Sequence, residues 1–575
     1  MLDSFRLSDL SEQEFAYTSV PLPSPRHIRL LELFPINLGS ANTESSKCRI
    51  YSTSLDSSPY FQAVSYVWGP NVRTTAVRVQ TNHKPKEIQS DLEFSVLHVT
   101  SSVGEILNRF RSPLGLVTLW IDQICIDQSN NTEKSDQVRM MSEIYSRASQ
   151  VLIWLGNPDN VYDSTRFMLK MEAVGNLARH MGIERMFHWH QRTDGEFWAF
   201  MNQVRGIKVS QKPSNVQFGE FSKKTYGILF GYEEDDMLLI ASELMAIFCT
   251  RWFFRVWVVQ EYVLARRATL IYGQNEIDAE KFALAITAIG LLNTNPQNLA
   301  LQGANAWAQM FLCQAMDNDP IGNLWRLRKG HQNYLAGKES GYTFYELARD
   351  ILGRHHHTLT ATDPRDRVYA ILSLAKDAQA LSLSPDYSPN LSADQLYTQV
   401  ARRMLHLNGG DLSVLELAQI PKRIMGQDSL AEKLPSWVPD FLGPEESISR
   451  PSRERPPGAW LYNPTGDTRQ PQLLPTEDEK VLGLKGIQVD EIELVGGLWG
   501  DIYHLDEKVF PGLPSLNFDK IISYVAEVWE FCKRSHEKRF GGSKSDEFSW
   551  FETIWRVILG DVSADFNSSK SSSGV

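Results

Sequence analysis

Residues 119–156, LWIDQICIDQSNNTEKSDQVRMMSEIYSRASQVLIWLG, constrain the fold of this chain more than any other stretch. An apolar run is followed by a polar linker, a helical pattern and a second apolar run. That order specifies a β-α-β unit with a right-handed crossover. The spacing predicts parallel neighbouring strands over 119–126 and 151–155. Between them, Val138, Met141, Tyr145 and Ala148 form the apolar stripe of a helix crossing one face. Asp122 lies inside the first run. An unpaired carboxylate in a core is costly, so Asp122 is expected either to be paired or to face a crevice.

The rest of the chain supports an α/β fold: an N-terminal domain with a central parallel sheet, then a mainly helical C-terminal region with a small β element. Residues 1–45 read as a variable lead-in with one short strand near HIRLLEL. The first domain is expected over 46–295, with its core motifs at 61–265 and a mostly helical insertion at 158–250. FQAVSYVW opens it as a strand, and TTAVRVQ with PKEIQ reads as a hairpin-like pair. Ser90 and Glu93 form a capping box that predicts a helix to about Arg111. RWFFRVWVVQEYVLAR (251–266) reads as a helix, TLIYG (269–273) as a strand, and Asp278 as the cap of a further helix.

Residues 296–480 read as mainly helical. There Asp363 is the expected N-cap, with Pro364 at the first helical position. Ser392 and Gln395 form a second capping box. The charged trio Arg365, Asp366 and Arg367 is expected to pair locally. Residues 481–562 suggest a hairpin, around KVLGLKGIQVDEIELVGG, and two amphipathic helices. Residues 563–575 are low-complexity and expected to be disordered.

Composition narrows the function classes. A 575-residue chain exceeds one compact domain. A net charge of −11 without a basic segment argues against a nucleic-acid partner. The five cysteines are odd in number and form no CxxC pair, so thiols in a cytoplasmic protein are the expectation. The acidic N-terminus lacks a secretory core, and the most apolar window, 237–248, is too short to span a bilayer. No membrane contact and no metal site are expected. The adjacent His355, His356 and His357 cannot all face one ion, and no HExxH, GxSxG or phosphate-loop motif occurs.

Three segments, in order, resemble the heterokaryon incompatibility (HET) domain of filamentous fungi. They are AVSYVWG (63–69), LWIDQICIDQ (119–128) with QVRMMSEIYSRASQVLIWLG (137–156), and RWFFRVWVVQE (251–261). DPRDRVYAILSLA and LPSWVPDF also resemble segments that come after this domain. The resemblance implies a role in non-self recognition and programmed cell death. It further implies remote similarity to Toll/interleukin-1 receptor (TIR) domains, hence a flavodoxin-like sheet.

Many TIR domains cleave NAD with a glutamate in a Trp-x-x-x-Glu arrangement, which Trp257 and Glu261 match. On that reading Glu261 is the catalytic candidate and NAD a substrate; no cofactor is expected. A carboxylate beside the nicotinamide–ribose bond would stabilise the developing ribosyl cation. Ser65, Tyr66, Trp68, Gly69, Asp122, Arg255 and Trp257 are the candidate substrate-binding residues. Ser65 to Gly69 end a strand, where α/β sheets bind ligands.

Each residue also has a structural reading. Glu261 is a surface acid or pairs with Arg255 or Arg251, Asp122 pairs with Arg255, Trp257, Tyr66 and Trp68 pack, Gly69 only turns the chain, and Cys125 is a buried hydrophobe. The competing function is a non-enzymatic module whose HET domain self-associates or binds an unknown protein partner; a third reading is an inactive relative.

Overall fold

The computed structural model describes residues 13–36, 46–80, 94–182, 215–231, 236–293, 320–352 and 359–407, with short stretches between 414 and 516. The chain divides into two compact units. The first comprises Met1–His190, Ala199–Ala348 and Leu359–Val400; the second comprises Gln191–Trp198, Arg349–Thr358 and Ala401–Val575.

The first unit is built on a nine-stranded mixed sheet. Its strands are β1 (His27–Leu33), β2 (Lys47–Ser54), β3 (Gln62–Ser65), β4 (Arg73–Gln80), β5 (Phe94–Thr100), β6 (Val117–Trp120), β7 (Val151–Trp154), β8 (Ala268–Tyr272) and β9 (Asn275–Asp278). Their order is β5-β4-β2-β1-β6-β3-β7-β8-β9. The inner block β6-β3-β7-β8 is parallel throughout, while β1 runs antiparallel to both β2 and β6.

The two ends of the β-α-β unit therefore lie in one parallel sheet, but they are not neighbours. Strand β3 sits between them, with Ala63 opposite Trp120 on one side and Val151 on the other. In order of appearance the block reads 2-1-3-4, the flavodoxin-like arrangement, whose crevice falls between the first and third strands.

The strand expected over 119–126 stops at Trp120. The Ile124 and Cys125 N–H groups turn back to the Ile121 carbonyl at 2.9 and 2.8 Å, Asp122 accepts the N–H of Gln123 at 2.7 Å, and Asp122–Cys125 forms the short helix α2. Asn130 then caps α3 (Asn131–Arg147) by accepting from Thr132 and Glu133. The helix packs Val138, Met141, Ile144 and Tyr145 inward, as the stripe requires. Residues 81–93, with the Ser90–Glu93 box and PKEIQ, lie outside the described residues. Downstream, however, the predicted helix begins as strand β5, and α1 (Ser101–Phe110) starts only at the cap Thr100. The β-branched run favours the strand.

Helices α4 (Val161–His180), α5 (Asn215–Phe230) and α6 (Asp236–Phe248) carry the insertion. Gly175 lets α4 approach the Lys281 backbone of α8 (Ala279–Asn293) too closely for any Cβ. Asp278 caps α8 by accepting the N–H of Lys281 at 2.9 Å. The predicted continuous helix over 251–266 is broken: a 3-10 turn, Arg251–Phe254, precedes α7 (Trp257–Val263). The break arises because the Val256 N–H bonds to Thr360 rather than along a helix.

The core lies on both sides of the parallel block. Val64, Leu119, Leu152 and Ile271 join Val103, Ile106 and Leu107 of α1 in one cluster. On α3, Tyr145 meets Trp120 edge to face at 5.6 Å. Each fully buried aliphatic side chain stabilises by roughly 1.5–3 kcal/mol.

In the second unit the described residues include two short antiparallel ladders, β10 (Gln472–Leu474) with β11 (Gly483–Lys485) and β12 (Tyr503–Leu505) with β13 (Pro514–Leu516). In place of the hairpin expected within 480–497, residues 483–485 pair with 472–474, which precede that segment, and residues 486–497 lie outside the described residues. Residues 353–358, with the three histidines, and the two C-terminal helices and tail lie outside the described residues.

Candidate functional site

Six of the eight singled-out residues converge at the carboxyl ends of β3 and β6. Tyr66 donates its hydroxyl to Asp122 Oδ1 at 2.9 Å, and the Trp68 indole donates to Oδ2 at 2.8 Å. With the Gln123 N–H, Asp122 accepts three hydrogen bonds. Ser65 ends β3 and donates its hydroxyl to Glu261 Oε2, while accepting the Trp252 indole N–H at 2.7 Å. Arg255 lies in the break before α7. Its guanidinium donates to the Tyr66 carbonyl and stands 3.6 Å from Glu261 Oε2. Tyr145 hydrogen-bonds Glu261 from α3 and reaches the Val64 carbonyl at 3.3 Å.

The result is one network in which two carboxylates share one guanidinium. Burial raises the Glu261 carboxyl above its ordinary range, and Arg255 and Ser65 pull against that shift. Asp122 is raised for the same reason, with Arg255 and the two aromatic donors opposing. Desolvation opposes the Arg255 charge, but Glu261 and Asp122 more than restore it. Burial, then Asp122, lifts Tyr66 well above the ordinary phenol range.

The Ser65–Glu261 end of this arrangement is closed, whereas Trp68, Asp122 and Arg255 are partly exposed. Glu261 is 1% exposed and Ser65 is equally buried. Sharing a helix face does not bring Trp257 to the same partners: its indole hydrogen-bonds Asp366 instead. Gly69 adopts φ +70°, the left-handed turn conformation that favours glycine, with open space where a Cβ would stand. Cys125 is buried, and burial pushes its thiol up to about 12, so it is no nucleophile at neutral pH.

Sequence reasoning missed a second buried cluster. Asp366 begins α9 (Asp366–Leu372), accepts the Tyr387 hydroxyl at 2.5 Å and is bonded by Trp257. The expected local pairing is seen for Arg365, whose guanidinium binds Asp363 at 2.7 Å; Arg367 donates to the Leu359 carbonyl. The helix begins two residues past Pro364, because Asp363 caps the Arg365 N–H in a turn before it. Thr360 bridges Phe254 and Val256, and Gln260 donates to Ser373 at 2.5 Å. Residues 359–373 thus hold the element that carries Arg255 and Glu261. Trp252 and Tyr145 were also overlooked as polar partners. Their only signal was an indole and a phenol on otherwise apolar faces, groups that seek acceptors when buried.

Among the described residues, no group of three or more His, Cys, Asp or Glu could hold a metal, and no helix is long and apolar enough to cross a membrane.

A parallel α/β core closed over an acid–guanidinium network at its strand ends is built from all three HET motifs. The family described as "Heterokaryon incompatibility protein (HET)" matches residues 61–261. The chain is also similar to "Heterokaryon incompatibility protein 6, OR allele" of Neurospora crassa, at 30% identity over 95% of this chain and 75% of that relative. It belongs to the heterokaryon incompatibility family. No solved structure matched it.

Proposed function

We propose that this chain acts in fungal heterokaryon incompatibility as a signalling module, its HET domain working through association with itself or with a protein partner. Support for the role comes from the name of the Neurospora relative. The observation that carries the non-enzymatic reading is the enclosure of Glu261, with one carboxylate oxygen already engaged by Ser65 and facing Arg255. A carboxylate that stabilises a ribosyl cation must touch the sugar; this one touches protein. On this reading the network is a latch that fixes the ends of β3 and β6 and the start of α7.

NAD cleavage is the second reading. It is favoured by the meeting of Ser65, Asp122 and Glu261 at the carboxyl ends of parallel strands, where α/β folds bind nucleotides. Induced expression in a fungal host, with NAD and nicotinamide measured beside cell death, separates the two. The expected outcome is death at unchanged NAD, retained in a folded Glu261→Gln variant. A fall in NAD that the same variant abolishes, by roughly 10²–10³-fold in turnover, transfers the conclusion to the enzyme.

A further inference from the structure

The crevice at the carboxyl ends of β7 and β8 is a separate place from the network. A cavity of about 300 Å³ opens there, a size at the lower end of small-molecule sites. Trp154 ends β7 and Asn157 comes just after it; Gln274 lies in the turn between β8 and β9; Asn108, Arg109 and Arg111 come from the end of α1 and just beyond. None of the six network residues lines it. The cavity therefore lies beside the third and fourth strands of the parallel block, one strand away from the crevice between the first and third.

The two arginines differ. Arg109 is spent on protein: it donates to the Gly273 carbonyl at 2.9 Å and to Glu276 at 2.6 Å. Arg111 is half-buried, and its guanidinium has no hydrogen-bond or ion-pair partner among the described residues; its Nε is fully buried without an acceptor. A buried donor left unmade is costly, so such a group implies an acceptor from outside the chain. Around it stand the side-chain amides of Asn108, Asn157 and Gln274, which can accept or donate. Glu105 is the one acid in the lining and faces the Asn157 amide at 3.5 Å. With Arg109 matched by Glu276, Arg111 is the one guanidinium of the described lining left to meet an incoming group, and Glu105 is the acid that stands in the wall with it.

We infer that this cavity binds a small molecule bearing an oxyanion, a phosphate ester or a carboxylate, which Arg111 engages. The planar fork of a guanidinium matches either group with two parallel hydrogen bonds. The ligand's remaining polar atoms meet the amides, and its apolar part lies along Trp154.

The test is calorimetric titration of the full chain with ribose 5-phosphate, inorganic phosphate and succinate at matched ionic strength. Saturable binding of at least one is expected, weakened roughly tenfold to a hundredfold in Arg111→Gln. Arg111→Lys should fall between, because it keeps the charge and loses the fork. Arg139→Gln, an exposed change on α3, should bind as the parent does. Tighter ribose 5-phosphate marks the phosphate-ester class and tighter succinate the carboxylate class; either supports the site. Should Arg111→Gln fail to fold, Asn157→Asp sets a like charge on the rim and should weaken binding comparably. No saturable binding of any probe to the folded parent, or equal binding to parent and both variants, overturns the inference.

Discussion

Glu261 and Asp366 are both buried carboxylates met by a tyrosine, and α7 reaches both, one through its own acid and one through Trp257. They are neutralised differently. Glu261 shares with Asp122 the guanidinium of Arg255. Asp366, 9% exposed, has only neutral donors; the nearby cations stack on the Tyr387 ring instead, Lys134 at 4.4 Å and Arg365 at 5.2 Å. Burial raises the Asp366 carboxyl above its ordinary range, with Tyr387 and Trp257 opposing. Two acids around one cation form a device that fails when the cation is lost. An acid held by hydroxyl and indole can take up a proton and stay bonded.

The sharpest way to break that contrast is Arg255→Met. It leaves Glu261 and Asp122 buried without a counter-charge and should cost about 3–5 kcal/mol in chemical denaturation. Both carboxyls already sit above their ordinary range, so the folded state holds protons that the unfolded chain releases. Stability from these groups is full at acid pH and is lost as pH rises. Removing the cation raises both groups further, so the deficit should grow from about pH 4 towards neutrality. A pH-independent deficit would mean the network is held by packing alone.

Asp366→Ala should cost less, about 1–3 kcal/mol, the usual result of leaving two buried donors unmade. Because burial raises the Asp366 carboxyl, the parent loses stability from it as pH rises, so this deficit should shrink with rising pH, opposite to that of Arg255→Met. Combined with Glu261→Gln, the costs should add within about 0.5 kcal/mol if the two clusters are separate anchors. A larger coupling would show that α7 transmits strain between them.

Smaller still is Glu243→Gln. Burial, then Asp163 and Asp159, raises the Glu243 carboxyl to about 7, and its Oε2 has no hydrogen-bond partner. The parent should therefore lose stability as pH rises from 4.5 to about 7. The glutamine variant should lose that slope and gain on the order of 1–2 kcal/mol above pH 7. An unchanged slope in thermal denaturation would assign the pH dependence elsewhere.

The parallel block was legible because apolar runs and a 3.6-residue stripe are local signals. That β3 lies between β6 and β7 was not, since pairing order is a long-range property carried by no single segment. The end of β6 was hidden for another reason. LWIDQICI keeps its apolar pattern through the turn, and what stops the strand is a set of backbone bonds back to Ile121 and Asp122 that leaves no mark in the pattern. The convergence of Ser65, Tyr66, Trp68, Asp122, Arg255 and Glu261 could be expected from strand ends and a helix. The enclosure of Ser65 and Glu261 could not, because it depends on Trp252 and Tyr145, which come from other elements to meet them. Trp257 misled through spacing: four residues along a helix align two Cβ atoms but do not decide which neighbour meets each side chain.

The insertion between β7 and β8 also sets a schedule for biosynthesis. All four residues of β7 are apolar and end up buried, yet the strand's partner on one side, beginning at Ala268, is synthesised more than a hundred residues later. At about 5–20 residues per second, the VLIW edge waits roughly 6–23 s before it can be covered. For that interval the nascent chain presents a hydrophobic strand with one unpaired edge to every other chain in reach. The demand this protein places on chaperones is thus written into the distance between Trp154 and Ala268.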